Sequence, residues 1–493
     1  MNNYDVVVVG SGLGGLCCGV ILAKEGLKVC VVEQDAQVGG CLRSFERRGR
    51  KFDTGMHYFG SMDEGQILRH FFRYAGVEER LHVRRLDVEA YDRVLMDGEE
   101  YRFAQGYEAF EEGLAEHFPC ERADIHRYTQ ALRQVGEVIG VENLKRGVIS
   151  TGGLELLSLS ASSEIDRLIA HPQLRKVVAS TNFLYDGIRD HSPFYTHAMI
   201  NHSFINGAYR FVDGSQQLAD VLVEVIRGCG SEVRCRAEVR RIHHQNNEIQ
   251  SVELASGERL MTRSVVSDIH PRELMKMIDE GSKIRTSYVR RINDLENSFG
   301  IFSLYAVVDR EKFPYRNCNY YIADPQGVWG DCERQHIPQT VMMSMQAQEA
   351  GDSEIVSLLT PCRAEEFAAW TNTSVGHRGA EYEEWKSRKA EEMIDRVEEY
   401  LGGLKSAIRE VYTASPLTYR DYTGVAEGSA YGIMNDCERP LETMLSPLTK
   451  LHGLYLTGQN VNNHGALGVL MTSIATCGEM LGVDYVCRKI GNL

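Results

Sequence analysis

No stretch of this 493-residue sequence approaches the roughly 20 consecutive apolar residues that a membrane-spanning helix needs, so an integral membrane protein is not expected. Positive charge is scarce too: 54 Lys plus Arg stand against 69 Asp plus Glu. The resulting net charge of −15 repels phosphate backbones and argues against a nucleic-acid partner. The 13 cysteines contain no CxxC, and the adjacent Cys17 and Cys18 cannot chelate one ion from one helix face, so no metal site is expected. The N-terminal MNNYDVVVVG lacks the basic and long apolar regions of an export signal, which suggests a cytoplasmic protein with free thiols, most of them buried. Internal repeats, low-complexity tracts and Pro-rich linkers are also missing, so the domains should be firmly joined. The length allows roughly two to four domains of about 150 residues, and 43% hydrophobic with 25% charged residues is an ordinary globular composition.

What is present begins with residues 5–9, DVVVV, a β-branched run suited to a buried parallel strand. The run stops at Gly10-Ser11-Gly12-Leu13-Gly14-Gly15, after which residues 16–24 favour a helix. Residues 28–32 read as a second buried strand ending in Glu33. Strand, glycine turn, helix, strand and acid make up a dinucleotide-binding βαβ unit. Gly10 permits the tight turn, Gly12 lets the pyrophosphate approach the backbone, and Gly15 lets helix and strand pack closely. The helix N-terminus offers unpaired N–H groups to phosphate, while Glu33 is placed for the ribose hydroxyls and disfavours a 2′-phosphate.

The chain continues with Gln34, then Gly39-Gly40-Cys41-Leu42-Arg43 and KFDTGMHYFG at 51–60. A glycine pair soon after the ribose acid lets the backbone run past a large ligand. At the other end, residues 453–459, GLYLTGQ, read as a strand ending at Gly458 and Gln459. A turn through His464 follows, and then a helix from Gly465 to about Leu481 that begins with Leu467, Gly468 and Val469. A helix start aimed at a flavin would bring its positive end to the ring edge where negative charge accumulates on reduction.

These segments, with Gly428-Ser429-Ala430-Tyr431-Gly432, resemble the two-dinucleotide-binding-motif flavoproteins. Within these they look like the phytoene desaturase, carotenoid isomerase and retinol saturase group, and most like the retinol saturases. The match covers roughly the first 60 and last 75 residues; the middle matches only in patches. It implies FAD held by Gly10–Gly15, Glu33, Gln34, Gly39, Gly40, Cys41, Arg43, Met56, His57, Gly458, Gln459, Leu467, Gly468 and Val469, with Val239 against the adenine. Cys41 stands where many desaturases of the group have arginine, and Arg43 comes two positions later. No cysteine lies within residues 458–468, so the FAD is expected to be non-covalent.

The fold class expected is α/β: an FAD-binding Rossmann-like domain of the glutathione reductase and amine oxidase type, with an inserted α+β substrate domain. Residues 1–75, 206–285 and 405–493 are assigned to the first, residues 76–205 and 286–404 to the second. Leu132, Val135, Val138 and Ile139 form one apolar stripe, and residues 382–401 a helix carrying another; both read as core. Residues 154–159, beside Lys145 and Arg146, are the place to look for a membrane-resting lip, and hence for peripheral membrane contact.

His57 and Tyr58 lie between glycines beside the cradle. Saturating an alkene needs a proton as well as a hydride, and His or Tyr can supply it. They are catalytic candidates, with Tyr431 and His464 as weaker ones; alternatively Met56 and His57 only cap the cofactor through backbone contacts. The function expected is an FAD-dependent oxidoreductase on carbon–carbon double bonds of a long apolar polyene or isoprenoid, of saturase type. A desaturase or cis-trans isomerase of carotenoid-like substrates would use the same cradle. Other classes remain open: an amine oxidase, hinted at by Tyr431 with Tyr422, or a lipid- or prenyl-binding protein like the GDP dissociation inhibitors. No second GxGxxG follows a strand, so the electron donor or acceptor is external.

Overall fold

The computed structural model describes residues 3–149, 153–331, 337–349 and 353–493. The four valines of Val6–Val9 are at most 4% exposed and form the middle strand of a five-stranded parallel sheet. Its order is Leu454–Leu456, Ser264–Ser267, Val6–Val9, Val29–Val32 and Glu232–Arg234. β-Branched side chains suit a strand covered on both faces, and burying each stabilises by roughly 1.5–3 kcal/mol relative to exposure. The helix Leu13–Lys24 is buried almost all round because it is wedged against the helices Gln216–Gly228 and Gly465–Leu481. The two ends of the chain are therefore neighbours, joined by Ser473 Oγ donating to Gly14 O (3.2 Å) and Cys18 Sγ to Thr457 Oγ1 (3.4 Å). A three-stranded antiparallel sheet (Val239–Gln245, Glu248–Leu254, Arg259–Met261) packs on the face of this layer that carries Val7, Val9 and Val32.

The second layer is a seven-stranded sheet in the order Ile408–Ala414, Gly300–Val308, Ile355–Cys362, Thr340–Met345, Asn319–Ala323, Asp92–Met96 and Glu99–Phe103. One pair, Asn319–Ala323 with Asp92–Met96, is parallel; the rest are antiparallel. Gly300–Val308, the second strand in that order, is buried along its whole length. Ile408–Ala414, which a boundary at 405 assigns to the cofactor part, pairs into this second sheet. A helical layer that includes Arg122–Val138 and Phe194–Ile205 closes the cavity between the sheets. The apolar stripes are core: Leu132, Val135 and Ile139 are buried, as are Tyr382, Trp385, Met393 and Val397 of the Ala380–Leu401 helix.

Among the described residues no helix is long and apolar enough to cross a membrane. In the stretch 154–159, Leu154 is 51% and Leu159 37% exposed, whereas Leu157 is buried.

Candidate functional site

One large cavity of ≈ 650 Å³ runs from the carboxyl end of the parallel sheet to the seven-stranded sheet. At its first end the Gly10–Gly14 turn, Glu33, Gln34, Gly39 to Arg43 and Val239 form the wall, opposed by Gln459 and by Leu467 to Val469 from the C-terminal helix. Nearly all the residues assigned to the cofactor thus surround a single space.

Two of them do not face it and act by packing. A Cβ on Gly15 would stand 2.1 Å from Gly10 O, and a Cβ on Gly458, where φ is +85°, 2.0 Å from Asp268 Oδ1. Gly458 is thus required by a residue that sequence reasoning passed over. The Asp268 carboxylate also lies 2.5 Å from the Cβ positions of Gly12 and Gly14, so it wedges the N-terminal and C-terminal glycine turns together. Burial, augmented by the Glu33 charge, pushes its carboxyl up to about 7, although the Gly15 N–H opposes this. The only sequence sign of Asp268 was an acid at the end of a short strand.

Glu33 is 8% exposed and held in place: Ser11 N and Oγ donate to Oε2 (3.1 and 2.6 Å), Asp35 N to Oε1 (2.9 Å). Arg43 is buried beside it, 3.5 Å from Glu33 and 2.7 Å from Asp35, and also donates to Tyr422 O (2.6 Å). A Cβ on Gly40 would lie 3.2 Å from Gly12 Cα, so the two glycine turns abut. An open helix N-terminus, a pre-oriented carboxylate and touching backbones without side chains fit a dinucleotide. Cys41 is exposed by area but enclosed, since it faces the cavity; burial raises its thiol, augmented by the Asp268 charge.

The second end is apolar. Phe183, Leu184, Met199, Ile200, Phe204, Ile301, Met342 and Leu359 line it. Met56, His57 and Tyr58 stand between the two ends.

Tyr58 and His57 differ sharply. The Tyr58 hydroxyl sits 3.0 Å from Asp92 Oδ2 and 2.5 Å from Tyr321 Oη, and its ring stacks on Phe204 at 4.2 Å. Asn319 Nδ2 donates to Asp92 Oδ1 (2.8 Å), and Arg210 Nη2 to Asn319 Oδ1 (3.1 Å), so the phenol is bound into a buried network. Burial raises the Asp92 carboxyl to about 7 and holds the Tyr58 phenol well above its usual value, with Asp92 adding to the latter. His57 borders the main cavity and also a second, small chamber. Its Nε2 is buried without a partner, and burial, then the Arg210 charge, lower it to about 4.

Tyr431 and His464 also line the cavity, their rings 4.3 Å apart. Tyr431 Oη donates to Phe183 O (2.8 Å) and His464 Nε2 to Leu184 O (2.7 Å), so both polar tips are occupied by backbone. Burial lowers His464 to about 4. Tyr422 is 52% exposed and does not line the cavity; Tyr419, three residues earlier, does.

Known proteins are similar to this chain in sequence and in fold. The family profile described as an NAD(P)-binding Rossmann-like domain matches residues 8–75. The all-trans-retinol 13,14-reductase of Homo sapiens is 27% identical over 97% of this chain and 85% of its own. The chloroplastic prolycopene isomerase 1 of an Oncidium hybrid cultivar is 24% identical over 99% and 85%. Among solved structures, cyclohexylamine oxidase from Brevibacterium oxydans superposes with a TM-score of 0.60 at 14% identity, covering 99% of each chain. The chain therefore has the amine-oxidase type of dinucleotide-binding fold and is a homologue, over nearly its whole length, of the retinol 13,14-reductases and prolycopene isomerases.

Proposed function

We propose that this protein is an FAD-dependent oxidoreductase that saturates a carbon–carbon double bond of a long apolar polyene. The observation that carries the proposal is the continuity of one cavity from a dinucleotide cradle to an apolar chamber, with a histidine at the junction. The names of its relatives supply the substrate class: retinol for the reductases, prolycopene for the isomerases. An amine oxidase is less well supported, because the relatives that match over nearly the whole chain are named for retinol and prolycopene and not for an amine.

The Gly10–Gly14 turn would hold the FAD pyrophosphate, Glu33 its ribose and Val239 its adenine, without a covalent bond. Cys41 is a poor nucleophile for such a bond, because its raised pKa keeps it a thiol. When bound and reduced, the flavin supplies a hydride. Phe183, Met199, Ile200 and Phe204 exclude water and align the polyene. His57 moves the proton. Tyr58 fixes the wall rather than reacting, because its hydroxyl is committed to Asp92 and Tyr321. The electron donor is external, and the protein is cytoplasmic with peripheral membrane contact through Leu154 and Leu159.

Incubating the protein anaerobically, in one arm reduced and in another with oxidised flavin, with all-trans-retinol and with a cis-carotenoid, then weighing the products, tests this reading. Gain of two hydrogens supports it. Loss of two hydrogens, or an unchanged mass with altered geometry, would replace it with a desaturase or an isomerase, the latter favoured by the likeness to the prolycopene isomerases.

A further inference from the structure

We propose that the small chamber behind His57 is a binding site for one water molecule, and that this water joins Asp53 to the His57 imidazole as a proton relay. The reaction it serves is the one proposed above; the water site itself does not depend on that reading.

The chamber measures ≈ 10 Å³, about the space of one water. Its polar walls are Asp53, His57, Arg210, Ser344, Gln346 and Ser357. Gln346 is 9% exposed, and neither its Nε2 nor its Oε1 has a partner. Arg210 is 1% exposed; its terminal nitrogens donate to Met345 O, Cys318 O and Asn319 Oδ1, but its Nε is unpartnered, as is His57 Nε2. Buried polar atoms are seldom left so, and several at one chamber point to a shared partner.

The chemistry of the walls selects it. Arg210 Nε and Gln346 Nε2 must give hydrogen bonds, whereas Gln346 Oε1 must receive one. An anion would leave Gln346 Oε1 unsatisfied and face the Asp53 carboxyl; a cation would face the Arg210 guanidinium. Water both gives and receives, and it takes two to four partners of this kind.

Asp53 is 6% exposed, and its Oδ1 accepts from Ser44 Oγ (2.9 Å), Ser215 N (2.9 Å) and Ser215 Oγ (3.2 Å). The charged or titratable groups around it are Lys51, two residues earlier, His57, Arg210, and Tyr305 from the Gly300–Val308 strand of the second sheet. Burial raises its carboxyl to about 6, so it is half protonated there and gives up its proton as pH rises further. His57, lowered to about 4, is a neutral ring that can accept at one nitrogen while giving from the other.

In the saturating direction bound reduced flavin would supply the hydride to one alkene carbon, and the π electron pair would form the new C–H bond at the other. The proton for that bond leaves the cavity-side nitrogen of His57 while the water delivers a proton to Nε2 and takes one from Asp53. The alkene is reduced, the flavin oxidised, the ring stays neutral and Asp53 becomes a carboxylate. His57 is the catalytic residue of this step; Asp53 and Gln346 are positioning residues.

The first test is a crystal structure of the FAD-loaded protein at a resolution that shows waters. One water within hydrogen-bond distance of Gln346 and of Arg210 Nε is expected, absent in Gln346→Leu. A dry chamber, or bromide density after a bromide soak, would overturn the site. The second is the ¹⁵N signal of His57 in histidine-labelled protein, identified with His57→Gln. Gln346→Leu and the isosteric Asp53→Asn should each shift it, and no shift in either would overturn the relay. In single turnover of reduced enzyme with retinol, both variants should slow proton transfer by roughly 10²-fold and remove the rate decline that wild type shows as pH rises through about 6. FAD affinity should be unchanged. Wild-type rates and pH profile in both variants would refute the relay, whereas no turnover by wild type would count against the proposed function alone.

Discussion

Replacing Tyr58 by phenylalanine separates a structural hydroxyl from a reactive one. The hydroxyl is within hydrogen-bond distance of Asp92 Oδ2 and Tyr321 Oη inside a closed network, and Tyr58 is only 8% exposed. The Tyr58→Phe variant would keep the ring and its stacking on Phe204 at 4.2 Å, so little packing is lost. What is lost is one hydrogen bond to a carboxyl group and one to a phenol, each leaving a buried partner short, at roughly 1–3 kcal/mol per stranded group. Asp92 and Tyr321 are the two groups stranded, so the expected loss is about 2–6 kcal/mol. Urea unfolding at saturating FAD should show this as a lower midpoint with an unchanged slope. Turnover of a polyene should fall by less than about tenfold, against the 10²–10⁴-fold expected for a lost general acid. A variant as stable as wild type but inactive would refute the assignment and return Tyr58 to the chemistry.

Three further outcomes follow from the same geometry. Asp92→Asn keeps an acceptor for Tyr58 but cannot ionise. The Asp92 carboxyl is raised to about 7 in the fold against about 3.9 unfolded, so its stabilising effect is complete below pH 4 and is lost as pH rises to about 7. The stability of Asp92→Asn relative to wild type should therefore rise by up to a few kcal/mol across that window in urea titrations at each pH. Gly458→Ala forces a Cβ to 2.0 Å from Asp268 Oδ1 at φ +85°, and should lower the yield of folded, flavin-binding protein far more than Gly465→Ala, whose Cβ meets open space. Glu33→Gln should weaken FAD binding roughly 10- to 100-fold by equilibrium titration, the worth of charge-assisted hydrogen bonds to the ribose.

The parts of this fold that could be read from sequence are those where the backbone itself is constrained. Gly10, Gly12 and Gly15 announce a turn, a close approach and a tight helix contact, and Val6–Val9 can only be a fully covered strand. The closing helix, expected over residues 465–481, begins and ends there because Gly465, in the left-handed region, opens its first turn and Gly482 follows its last. What stayed hidden depends on pairing across large separations. Asp92 meets Tyr58 only because Asp92–Met96 lies parallel to Asn319–Ala323, bringing Tyr321 and Asn319 beside it. Likewise Asp268 matters because two glycine turns, at opposite ends of the sequence, both press on it; a lone acid after a strand carries no such signal. The sequence marks Tyr422 no differently from Tyr419; the short helix Pro416–Thr423 decides which of the two turns inward.

The central claim is that flavin is gripped between the chain's two ends with its reactive edge open to an apolar chamber. The most direct test is visible absorption of protein supplied with FAD, desalted, reduced without oxygen and then mixed with all-trans-retinol. The account predicts retained yellow colour that bleaches on reduction and returns on mixing, in step with a product two hydrogens heavier. Protein that leaves the column colourless, or reduced flavin that stays bleached beside every polyene offered, would contradict it.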